Sequence, residues 1–139
     1  MNFMIIYQIW LSAILGPVGA IVRWQLARLN QGTVIKAKYW SAFPLGTFLA
    51  NIIASTIDTV LAGVLQDKKG SFGIDTVYAI NAIITGTSGA MSTASTFVGE
   101  IDGLAGKRGL ESMAFVYALT SLSLACVIGV ATFGWSVWV

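Results

Sequence analysis

Long apolar stretches, separated by short polar breaks, dominate this sequence. Between Leu45 and Leu65 the only charged residue is Asp58, and between Leu110 and Val139 it is Glu111. A helix of about 20 apolar residues crosses the hydrocarbon core of a bilayer, so stretches of this length predict membrane-spanning helices. The pattern places four of them, at residues 7–29, 44–65, 74–101 and 110–138.

The third predicted span differs from the others because its middle, residues 85–96, is rich in serine and threonine and contains Gly86 and Gly89. Small residues of this kind are typical of a closely packed helix interface in a membrane. They are equally compatible with a discontinuous helix, which a membrane tolerates where the irregular backbone is buried in protein or lines a water-filled path. The unpaired N–H and C=O groups of such a helix can bind ions. The residues alone leave both interpretations open.

The composition supports a membrane location and argues against most enzyme classes. Of the 139 residues, 56% are hydrophobic and 10% are charged, whereas soluble domains carry about 25% charged residues. The sequence has no histidine and a single cysteine, Cys126, so it lacks the usual proton shuttle, a disulfide and paired metal ligands. The net charge of +2, without a basic stripe, argues against a nucleic-acid partner. We therefore expect a multi-pass membrane protein that is not an enzyme.

Charged loop residues predict the orientation of the four spans. Because cytoplasmic loops carry an excess of lysine and arginine, the side with more of these residues is predicted to be cytoplasmic, with both termini outside. Residues 1–10 lack a basic segment, so no signal peptide is expected. The whole chain, residues 1–139, is predicted to form one membrane domain. The richer side carries Arg28, Lys36, Lys38, Lys107 and Arg108, and the opposite side carries Lys68 and Lys69.

Three sequence motifs occur in order along the first hundred residues. They read G-x-x-G-A-x-x-R-W at residues 16–24, F-P-x-G-T-x-x-x-N at residues 43–51, and G-x-x-G-x-x-S-T-x-S-T-F-x-x-E at residues 86–100. No single motif is decisive, but the ordered trio is specific. On these motifs the chain resembles the Fluc/CrcB/FEX family of fluoride channels. Its third motif is most similar to the second repeat of eukaryotic two-repeat members.

The resemblance implies an all-α integral membrane fold and a mode of assembly. Members of the family have four transmembrane helices, the third of them broken near mid-membrane, and two such units form an antiparallel dimer or pseudo-dimer. A structural sodium ion lies at the dimer centre, which implies the backbone carbonyls of Met91 and Ser92 as its ligands here. Because these ligands are backbone atoms, Ser92→Ala should be mild, whereas a bulky residue at Gly89 should be severely damaging. The partner would be a second copy or an unequal second four-helix half.

The function that the resemblance implies is passive export of fluoride across the plasma membrane through a selective pore. Fluoride is strongly hydrated, so the pore must replace its water with other donors. Amide, hydroxyl and phenol groups can supply them, and the positively polarised edge of a phenylalanine ring can face an anion. The pore candidates are Asn51, Thr93, Phe97, Tyr117 and Ser121.

Four further residues are assigned places outside the pore itself. Arginine is costly inside a membrane, and Arg23, together with Thr47 and Glu100, is predicted to lie at a vestibule or an interface. Asp58 is expected to lie off the pore, because an acid beside the path would repel an anion.

Two alternative functions remain open at this point. Bacterial members of the family usually have phenylalanine where this chain has Ala94, which is compatible with a non-conducting structural half or with a partner that supplies the missing ring. A proton-coupled exporter of the small multidrug-resistance type also has four helices. Its intramembrane acid lies in helix one, where this chain has Arg23, so Asp58 would have to replace that acid.

Overall fold

The computed structural model describes residues 3–31, 42–68 and 70–138. Within these ranges every regular element is helical, and no residue is in a β-strand. Lys36, Lys38 and Lys69, which contribute to the predicted orientation, lie outside the described residues. The elements are α1 (Phe3–Ala27), a 3₁₀ turn (Arg28–Gln31), α2 (Leu45–Asp67), α3 (Ile74–Ile83), a π turn (Ile84–Ser88), α4 (Gly89–Met91), α5 (Ala94–Ala105) and α6 (Glu111–Trp138).

Three of the four predicted spans are continuous helical stretches that are long and apolar enough to cross a membrane, namely Phe3–Asn30, Leu45–Asp67 and Glu111–Trp138. The first begins at Phe3 rather than at residue 7, because the preceding apolar residues continue the helix. The other two lie within two residues of the predicted bounds. The third predicted span is divided among α3, the π turn, α4 and α5, which together form the third segment (residues 74–105).

The third segment is interrupted at Ser92 and Thr93, where the backbone is extended. Ser92 has ψ 152°, and Thr93 has φ −155° and ψ 113°. Thr93 directs its N–H to the side chain of Asn51 at 2.8 Å, so that this N–H does not continue the helical ladder to the carbonyl of Gly89. The Thr93 hydroxyl accepts the N–H of Thr96 at 3.3 Å and thereby caps α5, a role for which threonine is well suited.

Close contact between α1 and the third segment depends on two glycines. A Cβ atom on Gly19 would collide with the carbonyl oxygen of Thr87, and one on Gly86 would collide with the backbone of Ser12. Small residues of this kind allow membrane helices to approach closely enough for van der Waals packing. Gly19 and Gly86 therefore set the distance between α1 and the π turn.

The packing of α2 against α6 combines a small residue with a polar contact. Gly63 lies directly against Ser136, and the hydroxyls of Thr59 and Thr132 share a hydrogen bond of 2.7 Å. Such hydroxyl contacts link membrane helices, because an unpaired polar group in hydrocarbon is costly. The outer faces of α1 and α6 instead expose large apolar side chains that suit lipid, including Trp10, Ile14, Phe115, Leu122 and Val130.

Candidate functional site

One face of α2 carries polar residues that meet the third segment. Residues three, four or seven positions apart share a face of an α-helix, and this rule places Thr47 and Asn51 together on one side of α2. The Thr47 hydroxyl contacts Glu100 on α5, and the Asn51 amide contacts the backbone of Thr93. The structure thus brings four residues of the second and third motifs into one polar column.

The carboxylate of Glu100 is the centre of this column. Its Oε1 accepts hydrogen bonds from Thr47 Oγ1 at 2.7 Å and from Asn30 Nδ2 at 3.1 Å, and its Oε2 accepts one from the Tyr117 hydroxyl at 2.8 Å. Hydrogen bonds to an ionised acceptor are the strong ones. Thr47 is only 4% exposed and Tyr117 is fully buried. Three hydrogen-bond donors from three different elements therefore converge on one half-buried carboxylate.

Asn30 belongs to this site, although the sequence analysis assigns it no role. It lies in the 3₁₀ turn that follows α1, where its Oδ1 accepts the N–H of Gly46 and its Nδ2 reaches both Thr47 and Glu100. Its position just beyond an apolar run marks the end of a span and gives no hint of a partner 70 positions away in sequence. The close approach of Gly46 to the carbonyl of Leu26 brings the start of α2 within reach of this amide.

The Tyr117 ring is held between two phenylalanine rings. Phe43 packs edge-on against it at 5.2 Å between ring centroids, and Phe97 packs at 5.1 Å with the planes tilted by 59°. Aromatic pairs favour such arrangements. They fix the direction of the Tyr117 hydroxyl, which donates its hydrogen bond to Glu100.

The structure predicts a specific cost for removing that hydroxyl. Tyr117→Phe preserves both ring contacts but deletes a hydrogen bond to a carboxylate, so we expect a stability loss of about 1.5–3 kcal/mol. Thermal unfolding in detergent would measure it. Tyr78→Phe is the matched control, because the Tyr78 hydroxyl makes no hydrogen bond to another described residue. Equal unfolding midpoints for the two variants would contradict the proposed hydrogen bond.

An open cleft of about 280 Å³, the Asn51 cleft, brings together four of the five predicted pore residues. Ser121 Oγ at its edge is inaccessible and has no hydrogen-bond partner among the described residues. Asn51 Nδ2 is held only by a long bond of 3.4 Å to the Thr93 carbonyl, so its N–H groups are weakly engaged. Ala94 also lines this cleft. The full lining is Asn51, Ser55, Ser92, Thr93, Ala94, Phe97, Ser121, Leu122 and Ala125.

A second cleft of about 260 Å³, the Arg23 cleft, lies on the other side of Thr93. Arg23 and Trp24 of α1 line it together with Thr47 and Thr96. Arg23 forms no ion pair or side-chain hydrogen bond with the described residues. A guanidinium that is free of partners and faces a polar cleft is suited to attract an anion.

Asp58 lies away from these clefts. Its side chain neighbours the hydroxyl of Ser88, the last residue of the π turn. Asp58 Oδ1 and Ser88 Oγ are both inaccessible, and neither makes a hydrogen bond of good geometry within the described part of the chain. Asp58 lines neither the Asn51 cleft nor the Arg23 cleft.

Because Ser92 and Thr93 are extended, nearby backbone carbonyl oxygens lose their helical hydrogen-bond donors. No backbone hydrogen bond joins α4 to α5 within the described residues, and the N–H that would reach the Ser92 carbonyl in a continuous helix, that of Thr96, is taken by Thr93 Oγ1. Met91 is 2% exposed and packs against Ala50 and Ala54. Among the described residues, the carbonyl oxygens of Met91 and Ser92 therefore have no helical donor, and a hard cation prefers oxygen atoms of this kind.

The sequence of this chain matches a known protein family. The sequence profile of the family described as CrcB-like protein, Camphor Resistance (CrcB), matches residues 10–135. The chain belongs to this family. As in the family generally, its apolar helices make it an integral membrane protein.

Relatives in the CrcB family come from both fungi and bacteria. The chain is 36% identical over 110 residues to the fluoride-specific ion channel FluC of Erythrobacter litoralis, covering 79% of this chain and 77% of that protein. It is 32% identical over 137 residues to fluoride export protein 1 of Candida albicans, covering 91% of this chain and 32% of that protein. With fluoride export protein 1 of Saccharomyces cerevisiae it shares 29% identity over 136 residues, and covers 33% of that protein. The chain thus spans about a third of its fungal relatives and about three quarters of the bacterial one.

Proposed function

We propose that this CrcB-family chain is one four-helix half of a fluoride-selective channel that lets fluoride leave the cell passively through the plasma membrane. The observation that carries the proposal is a set of polar groups along α2 and the third segment, from Ser121, Asn51 and Thr93 at one cleft to the donors around Glu100. The names of the fungal and bacterial relatives support fluoride as the transported ion. The chemistry is transport, and no catalytic step is required.

The donors in the column match the needs of a small, strongly hydrated anion. Each water lost by fluoride must be replaced by an N–H or O–H donor. Asn51, Thr93 and Ser121 offer such donors at the Asn51 cleft, and the edge of Phe97 adds a weak positive contact. Chloride gains less from such donors because it is larger and its charge is more diffuse. The column therefore favours fluoride.

Glu100 has a specific part in this proposal. Its carboxylate holds the donor groups of Asn30, Thr47 and Tyr117 in the positions in which they would surround an anion. Preorganised donors bind charge without a reorganisation cost. We infer that a fluoride ion reaching this level shares or takes over these donors as the carboxylate side chain turns aside.

Pairing with a second half follows from the exposure of the column. The polar groups of Asn51, Ser92 and Thr93 in the open Asn51 cleft are not suited to face lipid, because unpaired polar groups in hydrocarbon cost several kcal/mol each. We propose that the partner covers this face in an antiparallel arrangement, with the interruption at Ser92 and Thr93 near mid-membrane. The partner is a second copy or an unequal half. The length of the fungal relatives and the small side chain of Ala94 support an unequal half that supplies an aromatic ring.

The residues at the interruption fit a structural sodium ion between the two halves. The carbonyls of Met91 and Ser92 from each half would hold it, and the ion would supply the positive charge that balances these buried oxygens. Since the ligands are backbone atoms, the ion is not expected to move with fluoride.

Removing sodium is expected to weaken assembly. When a large organic cation replaces sodium throughout purification at constant ionic strength, the paired form should dissociate or unfold at a lower temperature. Gel filtration with light scattering and thermal unfolding would measure this without any flux assay. Unchanged mass and unfolding midpoint after prolonged dialysis would remove the sodium site from the proposal.

Protection of cells provides the functional test. Expression of the protein, with its second half if it has one, should restore growth in fluoride to a bacterial strain that lacks its own fluoride exporter. Growth in the same concentration of chloride is the control. Failure of the chain together with its partner would reject the proposed function, whereas rescue that also survives Asn51→Asp would assign this chain the non-conducting structural role.

A further inference from the structure

A third cleft, the Lys107 cleft, lies at the end of the polar column where α5 ends. It has a volume of about 230 Å³, which is room for about seven waters at roughly 30 Å³ each. Asn30 and Glu100 form its inner wall, so it opens directly onto the donor set described above. The remaining lining residues are Ala42, Pro44, Gly103, Leu104 and Lys107.

Among the described residues that line this cleft, Lys107 is the one that carries a positive charge. It follows α5 in the short connection to α6 and is exposed. Its ammonium group is not within ion-pair distance of any carboxylate among the described residues. Lys107 is therefore a free cation beside a cleft whose wall carries the carboxylate of Glu100.

The charge of Glu100 makes such a cation necessary if an anion is to use this cleft. A carboxylate at the inner wall repels an approaching anion, and a positive charge in the same cleft offsets that repulsion. Clefts lined by one sign of charge raise the local concentration of the opposite ion and so increase its rate of capture. Because the Lys107 ammonium makes no ion pair with a described carboxylate, its charge stays available to attract an anion from solution.

We propose that the Lys107 cleft is a mouth of the conduction path and that Lys107 concentrates fluoride there before it reaches Glu100. This inference rests on the proposed function and adds a residue that determines the rate of ion capture. Lys107 does not coordinate the ion in the pore. It acts through its charge, so its effect must depend on ionic strength.

The adjacent residue offers a matched control. Arg108 carries the same charge and is also exposed, but it does not line the Lys107 cleft. Lys107→Gln and Arg108→Gln therefore remove the same charge from the same connection, and only the first removes it from the cleft. Neither side chain makes an ion pair or a hydrogen bond with another residue that the structure describes.

The test is fluoride efflux from vesicles containing the paired protein. At an ionic strength of about 0.01 M, where the Debye length is about 30 Å, Lys107→Gln should lower the initial rate about threefold, as expected for one charge a few ångströms from the ion in water. Lys107→Glu should lower it about tenfold, because the charge change is doubled. Near 1 M salt, where the Debye length is about 3 Å, all rates should converge.

The outcomes separate this inference from the proposed function. If the unaltered protein conducts fluoride and Lys107→Gln matches Arg108→Gln at low salt, the inference is wrong and the channel assignment stands. A threefold loss that persists at 1 M salt also overturns it, since a screened charge effect must fade. If the unaltered protein passes no fluoride, both proposals fail.

Discussion

Gly19→Ala is expected to abolish folding of the helix bundle. The added Cβ would collide with the backbone carbonyl of Thr87 and crowd the backbone N–H of Met91. Backbone atoms cannot move aside as a side chain can, so the cost should reach or exceed the upper end of the usual overpacking range of about 1–3 kcal/mol. That cost should greatly exceed the gain of about 1 kcal/mol that alanine brings to a helix interior.

Gly134→Ala is the control for this prediction. Gly134 also lies in a helix interior, in α6, but a Cβ there meets no atom within 4 Å. We expect this variant to express and unfold like the unaltered protein, while Gly19→Ala is lost to aggregation or shows a much lower unfolding midpoint in detergent. Similar midpoints for the two variants would show that α1 does not pack on the third segment as described.

The same geometry changes the expectation for Gly89. The sequence-based prediction is that a bulky residue at this position is severely damaging. However, Gly89 is exposed, and the nearest atom to a Cβ there is the Ile84 carbonyl oxygen at 3.7 Å, an ordinary van der Waals distance. Within one chain, Gly89→Ala is therefore accommodated, and the critical close contacts are at Gly19 and Gly86. All three glycines belong to the sequence motifs, so the sequence alone could not show which of them make close contacts.

Asn51→Asp is expected to stop fluoride flux while leaving the protein folded. Asp can still accept the N–H of Thr93, which Asn51 Oδ1 accepts at 2.8 Å, so the interruption of the third segment keeps its anchor. The change replaces the N–H donors of Nδ2 with a negatively charged oxygen at the wall of the Asn51 cleft. The carboxylate of the variant would repel an anion in that cleft, whereas the Asn51 amide N–H can donate a hydrogen bond to it.

Two measurements on the paired protein separate conduction from folding for this variant. Fluoride efflux from vesicles should fall to the background of empty vesicles, and the thermal unfolding midpoint should stay close to that of the unaltered protein. Asn51→Leu should behave differently, because it removes both the donor and the anchor and should lower both flux and stability. Normal flux through Asn51→Asp would exclude Asn51 from the path.

Periodicity and apolar run length locate the helices well because burial in lipid imposes a simple rule on sequence. Every residue of α2 and α6 between its ends must suit hydrocarbon or a protein neighbour, so the bounds of these helices follow from where polar residues begin. The division of the third segment is harder to assign. Its hydroxyl residues allow either close packing or a break, and the choice depends on Asn51, which competes with the carbonyl of Gly89 for the N–H of Thr93.

The candidate site was only partly visible in the sequence. The motifs identify Thr47, Asn51, Glu100 and Thr93, and the structure brings them into one column. Asn30 and Lys107 lie outside the motifs, in a turn and a connection. Their contribution depends on how four chain segments meet in space, and a local sequence pattern does not indicate this.

The most direct measurement of the central claim compares fluoride and chloride efflux from the same vesicles. The paired protein would be reconstituted with either potassium fluoride or potassium chloride inside, and efflux would be started by a potassium ionophore and followed with ion-selective electrodes. The account predicts rapid fluoride efflux, chloride efflux slower by orders of magnitude, and no dependence of fluoride efflux on an imposed proton gradient. Comparable rates for the two halides, or fluoride movement only when a proton gradient drives it, would contradict a passive fluoride-selective channel.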